Sequence, residues 1–291
     1  MLSEKLKVLR NSIVIPFVDF KPISKVDSLK ILINSFFYNL ETLKRIIFIK
    51  FNLKTNWHKE GNPRAPLSCK VLTKYREIPL VFELRSNSDD MYFLKPKYEE
   101  KYLDFFYPKK GDVVLDVGSH VGKYTIYAGK LVGKKGKVIA IEANPYNYQQ
   151  LLRNIKLNNL DDIVKAYNIA ASDVNGIVEL RMPKDFGRST IINNRTIFEK
   201  ERIKIKSIRL ENLLIDNSIE YVDWAKIDVE GSEIKVLAGM GCFLNRVNKI
   251  LIEVSNENRF IFQKIMDKHG FKVEAVFKEK DQSYYFVSKN S

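Results

Sequence analysis

A chain of 291 residues, 45% hydrophobic and 29% charged, suits one large domain or one domain with a substantial extension, and is too apolar for wholesale disorder. No uninterrupted apolar run approaches the ~20 residues of a membrane-spanning helix and no secretory signal opens the chain, so a cytoplasmic protein is expected. The two cysteines, Cys69 and Cys242, lack His or Cys partners at metal-ligand spacing, so neither a disulfide framework nor a metal is expected, and the net charge of +14 favours anionic partners.

That charge is unevenly placed: residues 1–80 hold 15 Lys/Arg against 6 Asp/Glu. Within this stretch Leu29, Leu32, Ile33, Phe36, Phe37, Leu40, Leu43 and Ile47 recur at helical spacing. Such a stripe is expected to dock onto the main domain. The alternative is an interfacial helix resting on an anionic membrane surface, which makes the protein peripheral to the membrane's inner face. Asn62-Pro63-Arg64-Ala65-Pro66 breaks the pattern, and Leu80–Leu84 reads as a strand. Residues 1–80 are therefore read as a basic, amphipathic extension and residues 81–291 as the main domain.

From about Gly111 onward, β-rich runs alternate with helical patterns. Asp112–Val117 is a strand, Val121–Val132 a helix, Lys137–Glu142 a strand, Tyr146–Asn158 a helix and Ile163–Ala170 a third strand. Tyr221–Asp228, Lys249–Val254, Phe271–Phe277 and Ser283–Ser288 supply four more, with helical patterns at Glu233–Gly239 and Asn258–His269. Strand and helix in alternation require crossover connections. The expected fold is a doubly wound, seven-stranded, Rossmann-like α/β sheet. The short polar link Lys278–Gln282 suits a hairpin, which makes the last strand antiparallel. Between the third and fourth strands, Gly176–Met182 and Arg202–Arg209 alternate like half-exposed strands around a polar loop, Pro183–Lys200, of a length often used as a lid or substrate contact.

The first strand runs into Val114-Leu115-Asp116-Val117-Gly118-Ser119-His120-Val121-Gly122. Gly118 permits a sharp strand-to-helix turn and lets a ligand lie against backbone; Gly122 lets the helix pack close. The spacing is DxGxxxG, not the dinucleotide GxGxxG. A carboxylate ahead of the glycine repels a pyrophosphate but accepts from an ammonium, which favours S-adenosylmethionine over NAD. Glu142, 26 residues after Asp116 and followed by Ala143, Asn144 and Pro145, stands where an acid grips both ribose hydroxyls. Ala171, Ser172 and Asp173, at the expected end of the third strand, are small and polar enough to wall a flat base. In Lys226-Ile227-Asp228-Val229-Glu230-Gly231-Ser232-Glu233, Asp228 ends a strand and Glu230 lies in the following loop. With Glu253 at the end of the next strand they are candidate groups for orienting a nucleophile or taking its proton.

In order, VLDVGSHVG, VIAIEANP, AASDVNG, IRLENLL, KIDVEGSE and ILIEV resemble the FkbM family of S-adenosylmethionine-dependent methyltransferases, over roughly Arg85 to Val254. The resemblance implies a class I methyltransferase sheet and a hydroxyl acceptor on a saccharide, glycolipid or related small molecule. It places Asp116, Gly118 and Gly122, with Ser119 and His120 between them, in the methionine loop. It makes Glu142 the ribose acid and sets Asp228 and Glu230 beside the transferable methyl group. Two rival readings are an RNA-directed methyltransferase, prompted by the basic excess, and a cofactor-binding protein without catalysis. Against the first, the chain lacks both an Asn/Asp-Pro-Pro-aromatic segment and RRM-type aromatics, so a nucleic-acid partner is not expected.

Overall fold

The computed structural model describes residues 20–50, 66–183 and 199–289, so most of the Pro183–Lys200 loop lies outside the described residues. The chain divides into two compact units, Met1–Glu99 and Glu100–Ser291.

In the first unit, β1 (Lys21–Pro22), β2 (Cys69–Tyr75) and β3 (Ile78–Leu84) form an antiparallel sheet in that order. Strands β2 and β3 are joined by Arg76 and Glu77, at φ of 47° and 66°, the conformation that fits a two-residue turn to the twist of a hairpin. Helix α1 (Lys25–Lys50) starts at Ser24, whose Oγ accepts from the Asp27 amide at 3.1 Å. Its buried side carries Asp27, Asn34, Ser35 and Thr42 along with Ile31 and Tyr38. Asn34 reads the backbone of Leu67 from both sides: its Nδ2 donates to the carbonyl at 2.8 Å and its Oδ1 accepts from the amide at 2.9 Å. Asp27 Oδ1 accepts from the Lys70 amide at 3.0 Å.

This overturns the burial expected of the apolar stripe. Leu29, Leu32, Phe36, Phe37, Leu40 and Leu43 are exposed, because side-chain hydrogen bonds to the hairpin fix the opposite side of the helix inward. The first unit also runs on to Glu99, past the boundary expected near residue 80. The hairpin itself belongs to it, and Arg85 grips the buried Asp90 through two guanidinium bonds of 2.9 and 2.7 Å.

The second unit is built on a seven-stranded sheet. Its strands are β4 (Val113–Val117), β5 (Lys137–Ile141), β6 (Val164–Tyr167), β10 (Val222–Ile227), β11 (Val247–Ser255), β12 (Phe271–Lys278) and β13 (Gln282–Lys289). They lie in the order β12-β13-β11-β10-β4-β5-β6, all adjacent pairs from β11 to β6 being parallel and β13 antiparallel to both its neighbours. The three interposed strands β7 (Ala170–Ala171), β8 (Gly176–Pro183) and β9 (Glu199–Ile208) make a separate small sheet.

Helices α2 (Lys123–Val132), α3 (Pro145–Leu157), α4 (Leu210–Asp216), α5 (Glu233–Met240) and α6 (Arg259–Lys268) complete this unit. Strands covered on both faces must be apolar throughout, and β4, β5 and β10 supply buried Leu115, Val117, Ile139, Ile141, Ala225 and Ile227 to the core. The doubly wound α/β fold with an antiparallel last strand is as expected from the sequence.

The third strand differs. It ends at Tyr167 rather than Ala170, its last carbonyl accepting from the Glu142 amide at 3.0 Å. Asn168 then turns its side chain onto the Glu142 and Ala143 carbonyls, at 2.8 and 3.0 Å, and Ala170–Ala171 pairs with Ser207–Ile208 in the small sheet.

Candidate functional site

Chain order reverses between β4 and β10. From β4 the chain winds outward through β5 and β6, then returns to lay β10 on the other side of β4. Where connections diverge in this way, a crevice opens beyond the carboxyl ends of the two strands. Gly118 follows β4 and Asp228 follows β10, so both stand at that reversal. The Asp228 amide donates to the Val117 carbonyl at 2.9 Å.

Gly118 has φ of 81°, and a Cβ built there would lie 1.8 Å from the Asp228 carbonyl oxygen. The neighbouring backbone of the second loop thus already excludes a side chain at this position. Gly122, at φ of 101°, faces Leu151 of α3 with only 2.8 Å for a Cβ, which accounts for the close helix packing expected of it. Helix α2 begins after Gly122, two residues later than the apolar pattern suggests.

The Glu142 carboxylate lies just past β5 and is nearly buried. Its Oε2 accepts from the His120 amide at 2.7 Å and its Oε1 from the Asn144 amide at 2.8 Å. Asn144 in turn caps α3, its Oδ1 accepting from the Tyr146 amide at 2.9 Å. Burial, outweighing these hydrogen bonds, pushes the Glu142 carboxyl up to about 7. Ser119 stitches the two loops, donating from Oγ to the Asp116 carbonyl and accepting from the Ile141 amide at 3.1 Å.

Asp116 is wholly buried. Its Oδ2 accepts from Thr125 Oγ1 at 2.5 Å, whereas its Oδ1 has no hydrogen-bond partner, an orphaned polar atom beneath the loop. Burial raises its pKa against the opposing pull of the Lys226 charge.

Asp228, Glu230 and Glu253 converge. One carboxylate oxygen from each lies within 4.8 Å of the others, a grouping close enough to hold a metal ion, although the sequence spacing suggested none. Lys226 Nζ stands 3.1 Å from Asp228 Oδ2 and 4.9 Å from the centre of the Tyr124 ring. Glu253 Oε2 accepts from Tyr284 Oη and from Gln282 Nε2, each at 2.6 Å. Burial and then the neighbouring Asp228 and Glu230 charges raise its pKa well above the ordinary glutamate range. Glu230 sits at φ of 53°, in a left-handed turn completed by Gly231.

Ala171 and Ser172 are buried, and the Ser172 carbonyl lies 2.0 Å from where a Cβ on Gly239 of α5 would stand. Asp173 is half-buried and accepts from Ser172 Oγ at 3.0 Å. Lys226, Tyr284, Gln282, Asn168 and Thr125 were not among the expected site residues. Lys226 lies inside KIDVEGSE, where the motif itself was a signal; the others come from distant elements with no local pattern to mark them.

A seven-stranded sheet of this order, with a glycine turn at the reversal and a buried acid at the end of the neighbouring strand, is that of a Rossmann-like, S-adenosylmethionine-dependent methyltransferase. The family model described as the methyltransferase FkbM domain matches residues 116–273, and the chain belongs to that family. The hexuronic acid methyltransferase AglP of Haloferax volcanii is 27% identical over 206 residues, 67% of this chain and 77% of that protein. Methyltransferase sdnD of Sordaria araneosa is 26% identical over 175 residues, covering 49% and 67%. Among solved structures, Aeropyrum pernix fibrillarin in complex with S-adenosyl-L-methionine is similar at a TM-score of 0.41 and 14% identity, over 62% of this chain and 67% of that one.

The residues present suit the cofactor. An ionised carboxylate has about four acceptor positions; the His120 and Asn144 amides and the Asn147 side chain take three, which leaves Glu142 room for a hydroxyl donor. The buried Asp116 Oδ1, without a partner of its own, offers a further acceptor beneath the loop.

Proposed function

We propose that the protein methylates a hydroxyl group on a saccharide, glycolipid or related small molecule. The observation that carries this reading is the convergence of Asp228, Glu230 and Glu253 within 4.8 Å at the carboxyl ends of β10 and β11. An alcohol is a poor nucleophile at neutral pH and must shed a proton as its oxygen is alkylated, and a carboxylate beside it can take that proton. When bound, S-adenosylmethionine supplies an electrophilic methyl carbon on a sulfonium centre.

In this reading Glu142 accepts the ribose hydroxyls, and the loop Gly118, Ser119, His120 and Gly122 with Asp116 beneath it carries the methionine end. Ala143, Asn144, Ala171, Ser172 and Asp173 frame the nucleoside. Asp228 takes the proton from the acceptor oxygen, its carboxylate held in place by Lys226 at 3.1 Å. Glu230 orients the acceptor. Glu253, whose pKa burial raises, is held by Tyr284 and Gln282 and completes the polar wall. Exclusion of water and alignment supply most of the remaining rate enhancement. The similarity to a hexuronic acid methyltransferase supports a sugar acceptor.

The test is incubation with labelled S-adenosylmethionine and an envelope glycan extract, followed by identification of the labelled product. Label in a sugar O-methyl ether is expected, and Asp228→Ala is expected to abolish it while leaving cofactor affinity within a fewfold of wild type. Label confined to RNA, or wild-type turnover in Asp228→Ala on the identified acceptor, refutes the assignment.

A further inference from the structure

Helix α1 is inverted relative to an ordinary surface helix. Its inward side holds Asp27, Asn34, Ser35 and Thr42, with Asn34 0% exposed, while Val26, Leu29 and Phe36 on the outward side are 63%, 58% and 63% exposed. Leu32, Phe37, Leu40 and Leu43 extend the exposed row. At 100° per residue, positions 26 to 43 of this row span an arc of roughly 140°, and the buried set is centred about opposite to it. The inversion is not a loosely docked helix: the polar side is tied to the hairpin by the Asn34–Leu67 pair of hydrogen bonds and by Asp27 to Lys70. A contiguous apolar row held outward, opposite a buried side of Ile31 and Tyr38 anchored by polar side chains, is a contact surface.

Charge indicates what it contacts. Exposed Lys25 opens the helix, exposed Lys21 lies in β1 just before it, and Lys30 stands at the edge of the row. Asp27 is turned inward and engaged by Ser24 and the Lys70 amide, so among the described residues of the helix's first turn no carboxylate faces outward beside the row. The 15 Lys/Arg against 6 Asp/Glu of residues 1–80 put the same sign on the sequence around it. Aliphatic and Phe side chains bordered by lysines suit the headgroup–acyl boundary of an anionic bilayer, with the apolar row among the acyl chains and the ammonium groups at the phosphates. No described helix is long and apolar enough to cross a membrane, so the contact is interfacial.

We propose that the outward row of α1 seats the protein on an anionic lipid surface. The inference stands on the first unit alone and does not depend on the identity of the acceptor.

The full chain is sedimented with vesicles of phosphatidylcholine, with or without about 30% phosphatidylglycerol, at low and high salt. Binding to the anionic vesicles is expected to be at least about tenfold stronger than to the neutral ones and to weaken as salt rises. The variant F36S/F37S/L40S is expected to lose vesicle binding while keeping its melting temperature, since all three side chains are exposed. Reversing Lys21 and Lys25 to Glu is expected to weaken binding by about fivefold or more per charge and to leave the apolar contact intact.

Equal binding to both vesicle types, binding unchanged in F36S/F37S/L40S, or no binding at all overturns the proposal. So does a vesicle-independent dimer in sedimentation velocity that dissociates in F36S/F37S/L40S, because the occupant is then a second copy of the chain.

Discussion

Replacing Glu142 by Gln tests the cofactor site through its proton. In the free protein, burial lifts this carboxyl to about 7 even though two backbone amides donate to it at 2.7 and 2.8 Å. In the proposed site the ribose hydroxyls donate to the ionised form, so binding is expected to draw on the ionised fraction. That fraction is about one tenth at pH 6 and about nine tenths at pH 8. The cofactor dissociation constant should therefore fall about tenfold across this range, ~1.4 kcal/mol.

The apo fold should show the opposite trend. Its carboxyl titrates above the unfolded value of about 4.5, so the folded state binds the extra proton, and stability present below pH 4.5 is lost as pH rises towards 7. In Glu142→Gln one backbone amide faces an NH₂ group and the anionic acceptor is gone. Affinity should drop by about 1–3 kcal/mol, the scale of charge-assisted hydrogen bonds, and the Glu142 share of the pH slope should disappear. Titration calorimetry at pH 6, 7 and 8 in buffers of different ionisation enthalpy reads both affinity and proton release. Wild-type affinity with an unaltered pH slope in the variant removes Glu142 from the cofactor site.

Two stability predictions follow from the backbone. Gly118→Ala drives a methyl group to 1.8 Å from the Asp228 carbonyl at a left-handed φ, so a loss of about 3 kcal/mol or more in urea unfolding is expected. Gly133→Ala, at φ of 63° with nothing within 4 Å, should cost only about 1–2 kcal/mol, and equal losses would refute the steric argument. Asn34→Ala strips both hydrogen bonds from Leu67 and should destabilise the first unit by about 1–3 kcal/mol, read by faster hydrogen exchange at the Leu67 amide. Unchanged exchange there would separate α1 from the hairpin.

Local pattern and spacing were enough to read the alternating strands and helices from Gly111 onward. Parallel strands buried on both faces announce themselves as apolar runs, and DxGxxxG, Glu142 and KIDVEGSE each mark one strand's carboxyl end. From these marks follow the doubly wound sheet, the glycine turn and the acids at its rim. Strand β2 escaped notice because its turn, Arg76-Glu77, adopts positive φ without the Gly or Asn that usually signals it.

Only the tertiary structure decided which groups meet. Tyr284 and Gln282 reach Glu253 from the far end of the chain. The collision that forbids a side chain at Gly118 exists only because β10 returns beside β4. The orientation of α1 was beyond periodicity as well. A stripe gives the division of a helix into two faces, but hydrogen bonds from Asn34 and Asp27 to a distant hairpin determine which face turns inward.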